Sequence, residues 1–367
     1  MPNTPDRVRE LIQASGLSQR DFGLRIGLDD SKLSKSLSGS RRFSSLDLAR
    51  IAELCTVTVD WLITGEEPPL ALAARTTGGS AGEAIRAARR YSTLRSDMAA
   101  VGFPQPWQPV LQGPAAGNWT ERGRRLATNA LGAVARRGLS VQQEDLPKLV
   151  EEVFGVDVAV VEVGPDFDGL AAASSEAKII VLATCHLPSR QRFTLAHELG
   201  HLLAGDNQEL HLDNDVFDKA YAKEPSEIQA NAFAAAFLMP EEDMRQAVGT
   251  TGLTEASFAA LACDWMVTPS ALAYRLLNLR LIDAGACERY KAISSANAAA
   301  LAGRGEELAR RTVTTSSTRP PGLLVRDTYA AYETGEATLR PYAGLLGRDV
   351  DALRRDLETG SEASSSS

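Results

Sequence analysis

The residues with most to say about chemistry are His197, Glu198 and His201, within FTLAHELGHLL at residues 193–203. On a helix, side chains four apart project from the same face, one turn apart. His197 and His201 can therefore offer two imidazoles to one tetrahedral ion, while Glu198 can reach a water on that ion without being a ligand. Phe193, Leu195, Ala196, Leu199, Leu202 and Leu203 are apolar, so the helix is expected to be deeply buried. A buried histidine pair needs a reason, and a metal supplies one. The competing reading is two core histidines satisfied by hydrogen bonds, and a long apolar helix weighs against it.

A catalytic zinc usually takes three protein ligands, so a third is sought elsewhere. The HExxHxxGxxH spacing is not met, because Ala204 and Asn207 occupy its last two defining positions. Glu227 is the better candidate. It lies in the first turn of a second apolar helix, PSEIQANAFAAAFLMP at 225–240, with Asn231 one turn further along the same face. Glu227 could instead complement the helix dipole, and Glu224, Asp213, Asp215 and Asp218 are rival acids. His211 and Tyr221 are candidates for oxyanion stabilisation by nearness in sequence only, and ordinary loop positions are the plainer reading.

These helices need a frame. Strand signals occur at 156–163 and 178–182, with Asp168-Gly169-Leu170 as a turn into a short strand between them. Helical spacing covers 83–101, 119–154 with a break near Gly138, and most of the chain from Ser189 onward. The first 65 residues read as a string of short helices. Residues 17–27 form a positioning helix capped by Ser18, and 29–39 a second helix whose Leu33 and Leu37 face inward. Ser31, Lys32, Ser34 and Lys35 then face outward, with Arg41 and Arg42 in the next turn, where phosphate contact is natural. Residues 31–50 carry five basic residues (Lys32, Lys35, Arg41, Arg42, Arg50) against one acid, Asp47, although Asp29 and Asp30 oppose them. The alternative is a solvated basic face used for protein contacts. A fainter helix–turn–helix pattern at 258–282 has only Arg275 and Arg280 as basic residues and reads as a structural subdomain.

Composition bounds the rest. Hydrophobic residues make up 44% and charged residues 23% of 367, which suits a globular chain of several domains. The net charge of −8 excludes non-specific nucleic-acid binding by the whole surface, but not a local basic face. Four scattered cysteines without a CxxC pair read as reduced thiols. No secretory pattern or membrane-length apolar run is present, so a cytoplasmic location is expected. Between 204 and 243, ten acids (Asp206, Glu209, Asp213, Asp215, Asp218, Glu224, Glu227, Glu241, Glu242, Asp243) face only Lys219 and Lys223. Such an approach would attract cationic partners.

The HELGH segment, followed by EIQANAFAAAFLMP, resembles the ImmA/IrrE family of zinc metallopeptidases across about residues 120–285. The resemblance implies one zinc per chain held by His197, His201 and Glu227, with Glu198 as base. It further implies a substrate among helix-turn-helix repressors. The N-terminal 65 residues resemble the Cro/cI-type (XRE) repressor domain, which implies duplex DNA as a partner.

The expected architecture is mainly α with an α+β zincin-like peptidase core. It comprises a DNA-binding domain (1–67), a linker with one helix (68–118), a peptidase domain (119–248) and a helix-turn-helix-like subdomain (249–290). A helical extension (291–359) and a disordered tail (360–367) follow. The expected function is a regulatory zinc-dependent metalloendopeptidase acting on a DNA-binding repressor or antitoxin-like protein, with a homodimer as a further candidate assembly. The alternative is an XRE-type regulator whose peptidase-like domain serves as a sensor or dimerisation module.

Overall fold

The computed structural model describes residues 3–15, 17–55, 59–64, 80–110, 117–164, 167–205, 211–213, 224–249 and 253–365. Five short helices come first: α1 (Thr4–Ala14), α2 (Gln19–Arg25), α3 (Asp30–Leu37), α4 (Ser45–Cys55) and α5 (Val59–Thr64). The side chains of Asn3, Ser18 and Asp29 cap the first three by accepting backbone N–H bonds. Val8, Phe22, Ile26, Leu33, Leu37, Leu48, Ile51 and Leu62 form a core of their own. The buried Arg7 guanidinium donates to the Leu62 and Ile63 carbonyls and ties α1 to α5.

The remaining elements are α6 (Ser80–Ala100), α7 (Trp119–Arg136), α8 (Leu146–Phe154), β1 (Asp157–Val161), β2 (Gly169–Ala173), β3 (Lys178–Ala183) and α9 (Pro188–Ala204). Then come β4 (His211–Asp213), α10 (Pro225–Leu238), α11 (Glu241–Val248), α12 (Glu255–Asp264) and α13 (Pro269–Asn278). The chain closes with α14 (Ala284–Lys291), α15 (Ser295–Leu301), α16 (Gly305–Thr315), α17 (Gly322–Glu333), α18 (Arg340–Leu346) and α19 (Val350–Ser365). The mainly helical architecture with a small α+β core agrees with the sequence reading. The sheet order is β1-β3-β2-β4; β1 and β3 are parallel, and β2 is antiparallel to both neighbours.

Strand side chains alternate between the two faces of the sheet. Val158, Val160, Ala171, Ile180 and Leu182 join the larger core with residues of α7–α10, α12 and α13. Ala159, Leu170, Ala172, Ile179 and Val181 pack beneath Ala84, Ile85, Ala88, Tyr91 and Met98 of α6 and Leu324 and Ala331 of α17. Both faces are covered, which is why β1 and β3 read as unbroken apolar runs.

The helix expected inside a linker is therefore a layer of the sheet domain. Arg95 of α6, fully buried, binds Asp157 of β1 with two bonds of 2.8 Å and Asp327 of α17 at 2.6 Å. The C-terminal segment also closes the outer edge of β1, where Val160 and Arg319 exchange backbone hydrogen bonds of 2.8 and 2.9 Å. At the far end, α19 continues to Ser365, past Gly360, where a disordered tail was expected. No helix among the described residues is long and apolar enough to cross a membrane.

Candidate metal centre

Helix α9 starts on Pro188 and stops at Gly205, whose left-handed φ of 65° ends the helix without a Cβ penalty. Its first turn is fixed to the start of β2 by Arg190, which bonds Asp168 at 2.6 Å. Gly169 lets α9 come close, since a Cβ there would sit 3.4 Å from Glu198 Cγ and nearer still to Thr194 Cγ2. Arg192 is buried and donates to the carbonyls of Val141, Gln143 and Glu144 at 2.6, 3.0 and 3.2 Å, holding the connection between α7 and α8. Burial brings its pKa down to about 10. On the other flank, α10 crosses α9 at Gly200, where a Cβ would lie 3.0 Å from the Phe233 ring.

This framework brings three donors together. His197 Nε2 and His201 Nε2 are 3.0 Å apart, and each lies 3.2 Å from one oxygen of Glu227. All three residues are buried. With Nδ1 donating to Asn231 Oδ1 at 3.2 Å, the His197 ring turns its Nε2 toward the cluster. Burial alone would raise the Glu227 carboxyl. Hydrogen bonds and charge from His197 and His201 instead hold it well below the usual carboxylate range. Glu198, next to His197, is wholly buried.

The donor set fits a metal ion. Ligands at 2.0–2.1 Å from a tetrahedral ion lie about 3.3 Å from one another, close to the separations found here. Two histidines and one carboxylate are also an established donor combination for catalytic zinc. Among the described residues this is the sole cluster of at least three histidine, cysteine or acidic side chains able to hold an ion.

Residues 151–277 match the family of IrrE N-terminal-like domains, a peptidase family, and residues 8–62 match a helix-turn-helix family. The chain joins an IrrE-like domain to a helix-turn-helix domain. It is 35% identical over 133 residues to the radiation response metalloprotease IrrE of Deinococcus radiodurans, covering 36% of this chain and 40% of that protein. The protein of the same name from Deinococcus deserti is 32% identical over 143 residues, or 39% of this chain and 50% of its own length. The chain thus spans half or less of the curated relatives it matches. Helices α6, α7 and α14–α19 fall outside the family match.

Among the other acids weighed as ligands, Glu224 is exposed at the N-cap of α10. His211 and Asp213 are described by backbone only, opposite Ala171 and Gly169 of β2. Asp206, Glu209, Asp215, Asp218, Lys219, Tyr221 and Lys223 lie outside the described residues.

In the helix-turn-helix domain, Ser31, Lys32, Ser34 and Lys35 are exposed along α3, over buried Leu33 and Leu37. Lys32 pairs with Asp29 at 3.0 Å. Arg41 differs from Arg42. Its guanidinium bonds Ser36 Oγ at 2.9 Å and Asp47 at 2.8 Å, so it is engaged within the domain, whereas Arg42 is exposed.

Sequence reasoning placed Asn231 on the Glu227 face without giving it a task. The i, i+4 relation to Glu227 was the available signal that it also borders the histidines. The Asp168–Arg190 pair had no comparable signal, because its partners are 22 residues apart.

Proposed function

We propose that the chain is a regulatory zinc metalloendopeptidase that carries its own DNA-binding domain and cleaves a basic, DNA-binding protein substrate such as a repressor. The observation that carries this reading is the convergence of His197, His201 and Glu227, with Glu198 buried beside them. When bound, zinc would polarise a peptide carbonyl and make water a competent nucleophile near neutral pH.

The chain's own residues supply the rest. His197, His201 and Glu227 hold the ion, and Asn231 keeps the His197 ring turned toward it. Glu198 takes the proton from the water that attacks the peptide carbonyl and passes it to the departing amide nitrogen. Burial around Glu198 excludes bulk water and strengthens its interaction with developing charge.

The helix-turn-helix domain places α3 in the major groove, where Ser31, Lys32, Ser34 and Lys35 meet base edges and Arg42 meets phosphate. A DNA-bound peptidase would encounter DNA-bound substrates at high local concentration.

The test compares total cellular protein with and without the chain, and with Glu198→Gln in its place. A single shortened DNA-binding protein that appears only with the wild-type chain supports the reading. Identical fragment patterns for the wild type and Glu198→Gln would contradict it.

A further inference from the structure

We propose that Gly123 is a positioning residue for the metal centre, acting from α7 through α10 on Glu227. The inference rests on the metal reading above and extends it to a helix outside the family match.

Helix α7 packs along α10 and buries Gly123, Leu126, Ala127 and Ala130. At Gly123 the two backbones meet. A Cβ there would lie 3.0 Å from both Ala232 Cβ and the Phe233 backbone nitrogen, and far inside van der Waals contact of the Gln229 carbonyl oxygen. A main-chain carbonyl cannot rotate away as a side chain can, so relief requires α10 itself to move.

The two ends of α10 differ in how they can respond. At the C-terminal end, the Met239 carbonyl accepts a 2.9 Å bond from Arg275 Nε, and Phe233 is packed against Gly200. The N-terminal end begins at Glu224 without a side-chain cap. Displacement forced at Gln229 is therefore taken up in the first turn, which carries Glu227 two residues away. Gly132, on the same helix, provides the contrast, because a Cβ there would meet only the end of the Arg136 side chain at 3.5 Å. Glycine is a poor helix former, and of the two glycines in α7 close packing requires the one at position 123.

The experiment uses the full chain, stripped of metal and titrated with cobalt(II). The ligand-field absorption band and the affinity are read alongside thermal unfolding of the metal-free protein. Gly123→Ala is expected to weaken cobalt binding at least tenfold and to diminish the band, whereas Gly132→Ala titrates as the wild type. Ala232→Val crowds the same crossing through a side chain and is expected to give a smaller loss in the same direction.

A folded Gly123→Ala protein with wild-type affinity and band would overturn the inference, even if its melting temperature fell. If Gly123→Ala does not fold, wild-type cobalt binding by Ala232→Val overturns it equally. A wild-type chain that takes up no cobalt would defeat the metal reading itself, and this inference with it.

Discussion

Helices α3 and α9 each present polar side chains at helical spacing, yet they lie at opposite extremes of burial. In α3 only Leu33, Ser36 and Leu37 are buried, and the outward row of serines and lysines meets solvent. In α9 burial takes in His197, Glu198, His201, Gln191 and Arg192 together with the leucines. An exposed polar row costs little to keep and can wait for a partner. A buried one must be satisfied from within, by carbonyls for Arg192, by Asn231 for His197 and, on our reading, by an ion for the two Nε2 atoms.

The same contrast governs how charge is managed around the two helices. Near α3, Asp47 is buried, but its ion-pair partner Arg41 stays partly exposed. Burial pushes its carboxyl up, but bonds from Ser44 and Arg41 outweigh this and lower it. Beside α9's sheet, Asp157 is raised from 3.8 to about 6, because burial outweighs the pull of Arg95. The two carboxylates therefore have opposite pH signatures. Asp47 contributes stability above its unfolded pKa that is lost as pH falls. Asp157 binds its proton more tightly when folded, so its contribution declines as pH rises from about 4 to about 6.

The largest effect expected from breaking this contrast is at Arg95. Arg95→Met leaves Asp157 and Asp327 buried without their cation and should cost about 3–5 kcal/mol in chemical denaturation of the full chain. Asp157→Asn should remove the decline between about pH 4 and 6 that the wild type shows relative to it. Equal pH profiles for wild type and Asp157→Asn would show that the carboxyl is not perturbed.

A smaller effect is expected at Asn231. Asn231→Ala should weaken metal binding by about 10–100-fold, the usual consequence of removing the partner that orients a ligating histidine. Unchanged affinity in a chelator competition would remove Asn231 from the site's support.

The smallest effects separate the neighbours Arg41 and Arg42. Arg41→Ala should lower stability by about 0.5–1.5 kcal/mol, the net range for a hydrogen-bonded pair whose cation is partly exposed. Arg42→Ala should leave stability unchanged and reduce the salt slope of DNA binding by about one. Fluorescence anisotropy with duplex DNA at several salt concentrations reads the second effect. A reduced slope in both variants would place both arginines on the phosphate backbone.

What could be read in the sequence follows from the distance over which each signal acts. The HELGH spacing, the Ser18 cap and the inward Leu33 and Leu37 are local, and each emerges from periodicity within a turn or two. Glu227 was legible as a candidate because an acid heads an otherwise apolar helix, but nothing local separated it from Glu224 or Asp213. The place of α6 was missed although its buried face, Ala84, Ile85, Ala88, Tyr91 and Met98, repeats at helical spacing. Abundant alanine and arginine masked that face, and the helix was assigned to a linker. Arg95 with Asp157 and Asp327 was beyond reach, since its partners are 62 and 232 residues away. Strand β4 has three residues without a β-branched run, so only pairing with β2 defines it.

The central claim is that the His197–His201–Glu227 cluster is a metal centre in which Glu198 is not a ligand. Native mass spectrometry of the full chain tests this most directly, on the wild type, Glu198→Gln and the His197→Ala/His201→Ala pair. The account predicts one bound zinc in the wild type and in Glu198→Gln, and none in the double variant. Zinc lost from Glu198→Gln, or retained after both histidines are removed, would contradict it.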